Sequence, residues 1–163
     1  MSLAYRAMLF AMDAHKDQKR KYTNVPYFTH LAEVAGILST VRNDEESIAT
    51  AWLHDCIEDQ GVDFTVISEN FSPTVAQGVY LLSDLENGNR AERKRQSRER
   101  LGKANAWIQD IKVCDLISNT SSIVQHDPKF AVTYLEEKRL LLDVLTKANS
   151  KLIEIAREMI NGR

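Results

Sequence analysis

"ATAWLHDCIEDQG", residues 49–61, places four ionisable side chains, His54, Asp55, Glu58 and Asp59, directly after an apolar run that reads as the inside of a helix. Asn43 and Asp44 stand where an N-cap belongs. Glu45 and Glu46 follow in the first turn, where the helix dipole favours acids, and Gly61 supplies a C-terminal stop. One helix is therefore expected up to Asp59. On it His54 and Glu58 are four apart, Asp55 and Glu58 three, and Asp55 and Asp59 four, so all four address one side. Three carboxylates this close repel one another and are costly to bury uncompensated. A bound cation, or a run of lysine and arginine, has to be supplied.

Upstream, Ala4, Ala7, Met8, Ala11, Met12 and His15 form the apolar stripe of an amphipathic helix, with His15 ending its buried face. Pro26 breaks the chain at "RKYTNVPY", and Thr29 is placed to cap a second helix that begins at His30 and runs through Val41. Downstream, "DFTVISENF" reads as a short helix, and Ser72 with Pro73 opens another over "SPTVAQGVYLLSDL". Residues 87–103 hold seven basic residues against two acids and almost no apolar side chains, as a solvated helix or a mobile loop would. In "ANAWIQDIKVCDLISNTSSI", Ile108, Ile111, Asp115 and Asn119 share a face, which makes Asp115 and Asn119 neighbours. Asp127-Pro128 starts a further helix, and Leu152, Ile155, Ala156 and Met159 mark a last amphipathic one. Period-two alternation is absent throughout. The chain is expected to be all-α, one domain over residues 1–163, with no internal repeat.

Composition narrows the function classes. Apolar residues make up 44% and charged residues 27%, which fits an ordered globular protein. The net charge of −2 argues against a surface built for nucleic acid, and the basic 87–103 stretch lacks interleaved stacking aromatics. No apolar run approaches the ~20 residues of a membrane helix, and the N-terminus has no cleavage signal. A cytoplasmic, unprocessed protein is expected, with self-association left open. Cys56 and Cys114 belong to no metal-type pair and read as reduced core thiols.

A His-Asp dipeptide alone is weak evidence: "HDP" at 126–128 is explained by Asp127 as an N-cap. Company changes the reading at residues 54 and 55. His30 follows "PYFT", and Asp115 sits in the apolar "IQDIKVCDLI", where an aspartate needs a partner. His30, His54, Asp55 and Asp115 from three helices make a mixed nitrogen and oxygen ligand set. It lacks the thiolates of structural zinc and suits Mn²⁺, Fe²⁺ or a catalytic Zn²⁺. Glu58 and Asp59, one turn on, are placed to orient a water or take its proton.

The ordered combination QxRK, PYxxH, LHDxxED and KxxDxxxN, carried by "AHKDQKRKYTNVPYFTHLAEVAGIL", "AWLHDCIEDQGVDFTVISENF" and "IKVCDLISNTSSI", spans residues 14–123. In this the chain resembles the HD-domain alarmone hydrolases, the hydrolase half of the RelA/SpoT proteins and their stand-alone small relatives. The resemblance implies an all-helical fold with one Mn²⁺ held by His30, His54, Asp55 and Asp115, and with Glu58 and Asp59 acting on the attacking water. The reaction it implies is hydrolysis of the 3′-pyrophosphate of ppGpp or pppGpp, leaving GDP or GTP. It also implies that Arg20 lies against the base and Asn119 contacts the nucleoside, while Lys21 offers a compact charge for phosphate.

Three positions depart from the family pattern. Asp17 replaces a common glycine, Gln60 a frequent threonine, and "NTSSI" after Asn119 is neutral where relatives carry a basic residue. These leave the metal and water chemistry in place and the base open between guanine and adenine. Rival readings are an HD phosphohydrolase of another nucleotide, such as ppApp or a nucleoside monophosphate, and a nucleotide-binding module without turnover. The intact ligands and the intact Glu58-Asp59 pair favour the alarmone hydrolase.

Overall fold

The computed structural model describes residues 1–162. Ten α-helices account for the regular structure among them: α1 Leu3–Ala14, α2 Phe28–Ser39, α3 Glu45–Leu53, α4 Cys56–Gln60, α5 Phe64–Asn70, α6 Pro73–Leu82, α7 Arg90–Gly102, α8 Ala106–His126, α9 Pro128–Val144 and α10 Ser150–Ile160. The only β-type pairing among the described residues is an isolated bridge between Lys19 and Pro26. The fold is all-α, as the periodicity predicts.

The chain divides into two helical units, Met1–Leu85 and a second from Glu86 onward. In the first, α3 is central and packs on α1, α2 and α6. Its core joins Ala7, Ala11, Leu31, Ala49, Leu53, Cys56, Ile67, Val75, Ala76 and Val79, all fully buried. The alanines of α1 and α3 let those two helices approach closely, while Phe10 and Phe71 meet edge to face at 5.5 Å. Truncating a side chain such as Leu53 to alanine here costs about 2–5 kcal/mol through lost burial and a residual cavity.

Capping sets the helix starts. Ser2, Asp44 and Ser72 each accept a backbone N–H of the first turn, and Pro73 occupies the first helical position of α6. At α2 the expectation shifts by two residues. The helix begins at Phe28, and the Thr29 hydroxyl donates to the Pro26 carbonyl at 2.9 Å instead of capping.

A larger difference lies at the quoted stretch, where the expected single helix breaks at His54 and Asp55. Asp55 adopts φ −102° and ψ 0°, in the bridge region, and the chain resumes as the five-residue α4 before Gly61 ends it at φ 62°. Consecutive residues of an uninterrupted helix project about 100° apart. The break turns His54 and Asp55 toward one point, which helical periodicity alone could not indicate.

In the second unit, α8 packs against α9 and α10, and α7 against α9. Buried Gln109 ties the unit's loops together: its Nε2 donates to the Leu101 carbonyl at 3.0 Å, and its Oε1 accepts the Lys147 N–H at 2.9 Å. Buried Asp110 accepts the Asn149 N–H at 2.7 Å. The basic stretch is an ordered helix, α7, capped by Asn89. Arg90 forks onto Glu137 with two contacts of 2.9 Å and lies 5.0 Å over the Phe130 ring; Arg95 pairs with Glu92 and Glu99, and Arg100 with Glu86.

Candidate metal centre and active site

In the first unit, His30 comes from the first turn of α2, and His54 and Asp55 from the break between α3 and α4. Both imidazoles are buried. His54 Nδ1 lies 2.7 Å from the Ala51 carbonyl, which can only accept, so the ring's proton sits on Nδ1 and the Nε2 lone pair faces inward. That Nε2 is 3.1 Å from Asp55 Oδ2, and His30 Nε2 is 3.6 Å from the same oxygen. The ligand-type atoms of the three residues lie within 4.8 Å of one another.

A lone pair facing a carboxylate oxygen at this distance is repulsive unless a proton or a metal cation lies between them. Two neutral nitrogens and one carboxylate oxygen form a donor set of that kind for a borderline divalent cation. The residues present therefore fit a metal. The Tyr27 hydroxyl donates to Asp55 Oδ2 at 2.6 Å, and its ring leans on His30 with centroids 5.3 Å apart, which fixes the rotamers of both.

Glu58 and Asp59 are consecutive on α4 and so project about 100° apart, toward different partners. Glu58 Oε1 accepts the Asp84 backbone N–H at 2.5 Å, whereas Asp59 Oδ2 accepts from Gln18 Nε2 at 3.2 Å. Partial desolvation first, and the charge of Asp55 second, push the Asp59 carboxyl above its usual range, against the hydrogen bonds of Gln18 and Tyr27. A carboxylate raised in this way is a better proton acceptor.

Arg20 sits in the turn before α2. Its guanidinium, only 12% exposed, donates to Glu33 Oε1 at 2.9 Å. The turn itself is fixed: Arg20 N–H donates to the Val25 carbonyl at 2.7 Å and Tyr27 N–H to the Gln18 carbonyl at 2.9 Å, with Tyr22 and Asn24 at φ 72° and 59°. Lys21 is exposed, its Nζ 5.0 Å from the Tyr22 ring.

In the second unit, Asp115 lies on α8 between one-turn neighbours. Lys112 Nζ is 3.0 Å from its Oδ2, and Asn119 Nδ2 donates to its Oδ1 at 3.0 Å. The partner demanded by an aspartate on an apolar face is thus in part its own helix. Cys56 and Cys114 form no disulfide, and burial pushes both thiols up to about 12, so neither is a thiolate at neutral pH.

Four groups at this site had no role assigned from sequence, His15, Gln18, Tyr27 and the Asp84 N–H, and in the second unit Lys112 beside Asp115 had none. For Tyr27 and Lys112 a signal existed, since each stands three residues before a ligand-type residue and so one helical turn away. For Gln18 and Asp84 nothing local points to residues about forty and twenty-six positions off.

An all-helical unit that brings two histidines and an aspartate together at a helix break offers a donor set for a divalent metal. Residues 7–123 match the HD domain family, and the chain belongs to it. The match runs across the boundary of the two units. Among curated relatives, the GTP pyrophosphokinase rsh of Brucella melitensis is 32% identical over 139 residues, covering 80% of this chain and 18% of that protein. The bifunctional (p)ppGpp synthase/hydrolase SpoT of Escherichia coli is 36% identical over 109 residues, covering 66% of this chain and 15% of that protein. The chain thus spans less than a fifth of the length of these relatives. A solved metazoan ortholog of SpoT, described as hydrolysing ppGpp and acting in starvation responses, aligns with 100% of this chain and 96% of its own at 26% identity, TM-score 0.91. The lmo0812 protein of Listeria monocytogenes shares the fold at 21% identity, TM-score 0.72, over 84% of this chain and 94% of its own. No helix among the described residues is long and apolar enough to cross a membrane.

Proposed function

We propose that the chain is a metal-dependent 3′-pyrophosphohydrolase that converts ppGpp and pppGpp to GDP and GTP with release of pyrophosphate. The observation that carries this reading is the convergence of His30 and His54 Nε2 on Asp55 Oδ2, in a chain similar along its whole length to a protein described as hydrolysing ppGpp. His30, His54, Asp55 and Asp115 would hold one divalent ion, Mn²⁺ foremost, with Fe²⁺ and Zn²⁺ suited to the same donors. Bound there, the ion would polarise a phosphoryl oxygen and lower the pKa of a water.

The chain's own side chains do the rest. Asp59, with its raised pKa, takes the proton of the attacking water, and Glu58, anchored by the Asp84 N–H, orients it. Arg20, held by Glu33, offers a flat guanidinium to the base, Lys21 a mobile charge to phosphate, and Asn119 an amide to the nucleoside. Ligands drawn from residues 30 to 115 make residues 1–163 one catalytic domain in this proposal, acting in the cytoplasm on the free nucleotide pool. Nucleic acid is disfavoured as a partner because α7 neutralises much of its own charge in ion pairs.

The test is pyrophosphate release from ppGpp and from ppApp by Mn²⁺-loaded protein, beside a Glu58→Ala variant and a chelator-treated sample. Release that vanishes in both controls supports the reading, and the relative rates give the base preference. Silence on both substrates with metal bound would overturn it and favour the nucleoside monophosphate or binding-module reading.

A further inference from the structure

Behind Asp59 runs a second polar chain. His15, the C-cap of α1, is 2% exposed. Its Nδ1 lies 2.6 Å from Gln18 Oε1 and its Nε2 3.6 Å from the Cys56 thiol sulfur. The Tyr27 ring stacks on the imidazole, with centroids 5.3 Å apart and planes at 30°. Gln18 Oε1 also accepts from Gln60 Nε2 at 2.8 Å, and Gln18 Nε2 donates to Asp59 Oδ2 at 3.2 Å.

A carboxamide can turn end over end at almost no cost, so its neighbours decide which end faces where. Asp59 can only accept while ionised, and it requires the NH₂ end. The oxygen end then faces His15 and Gln60, both of which must donate. For His15 this places a proton on Nδ1, while Nε2 faces the Cys56 sulfur. Each link has a direction, from the core outward to the Asp59 carboxylate, which Tyr27 also hydrogen-bonds.

We propose that His15 and Gln18 are positioning residues for Asp59: the buried imidazole locks the Gln18 carboxamide, which holds the Asp59 carboxylate in one orientation. The inference rests on the reading that Asp59 acts on the water. Misplacing a reacting group by about 1 Å costs on the order of a hundredfold in rate, so an effect of this kind is read in kcat.

Two measurements on the full chain decide it. In the Mn²⁺-loaded protein, Gln18→Leu is expected to lower kcat about tenfold or more with KM, metal content and melting temperature unchanged. On an Asp59→Asn background the same substitution should change kcat less than about twofold, because groups acting as a unit are not additive. Equal losses in both backgrounds, or full activity of Gln18→Leu, would overturn the proposal. Independently, ¹⁵N spectra of the His15 ring, with diamagnetic Mg²⁺ as the ion, are expected to show a protonated Nδ1. An Nε2–H ring with no proton on Nδ1 would overturn it. The tautomer needs no turnover. A wild-type chain that releases no pyrophosphate therefore fails the proposed function, whereas a wrong tautomer fails the positioning role.

Discussion

Asp55 Oδ2 gathers a phenol hydroxyl and two imidazole nitrogens within 3.6 Å, and most of the site's logic follows from that one atom. Asp55→Ala should remove metal and activity together, read as metal content and pyrophosphate release. Glu58→Ala should keep the metal and lower kcat by on the order of a hundredfold, the cost of misplacing a reacting group by about 1 Å. Tyr27→Phe keeps the ring packing and deletes one hydrogen bond. It should weaken Mn²⁺ affinity about 10–100-fold in a metal titration, with the fold retained in its circular dichroism spectrum. At this scale much was legible in the chain: the types and order of His30, His54, Asp55, Glu58, Asp59 and Asp115 suffice to suggest a metal. What was hidden is which group each carboxylate answers to, because Asp84 and Gln18 are brought in by tertiary packing and not by spacing.

At the scale of elements, the cap residues behave as their chemistry dictates. Asp44 accepts from the Ser47 hydroxyl at 2.7 Å and N–H at 3.0 Å. Slight burial pushes its carboxyl up, but these hydrogen bonds and the nearby Arg42 together hold it below its ordinary range. Asp44→Ala should cost about 1 kcal/mol at neutral pH in a denaturant titration. A depressed folded pKa stabilises above the unfolded value of about 3.9 and is lost as pH falls through the folded one. The gap between wild type and variant should therefore close below about pH 4. Helix starts at residues 44, 72 and 127 were readable because caps and prolines act locally. The break at residue 54 was not, since the apolar period continues through it. Nor was the order of α7: its forked Arg90–Glu137 contact joins residues 47 apart.

For the whole molecule, the all-α class was legible from periodicity alone, and the division near residue 85 falls just before the basic, apolar-poor stretch that opens at residue 87. A metal that binds only the folded chain adds stability by mass action, about 2.7 kcal/mol at a hundredfold excess over its dissociation constant. Chelation should accordingly lower the melting temperature in calorimetry, and Asp55→Ala should melt at the chelated value with or without added ion. An unchanged transition in the wild type would count against a resident metal.

The turn between Lys19 and Pro26 bears on timing. Two residues already hold left-handed backbone angles there, and paired strand-like hydrogen bonds close it before any nucleotide arrives. Such a surface has few conformations to surrender on encounter, so the nucleotide recognition proposed for Arg20 should resemble a key meeting a finished lock. Association should then be limited by diffusion and charge, slowing with added salt, with no slow rearrangement phase in stopped-flow traces.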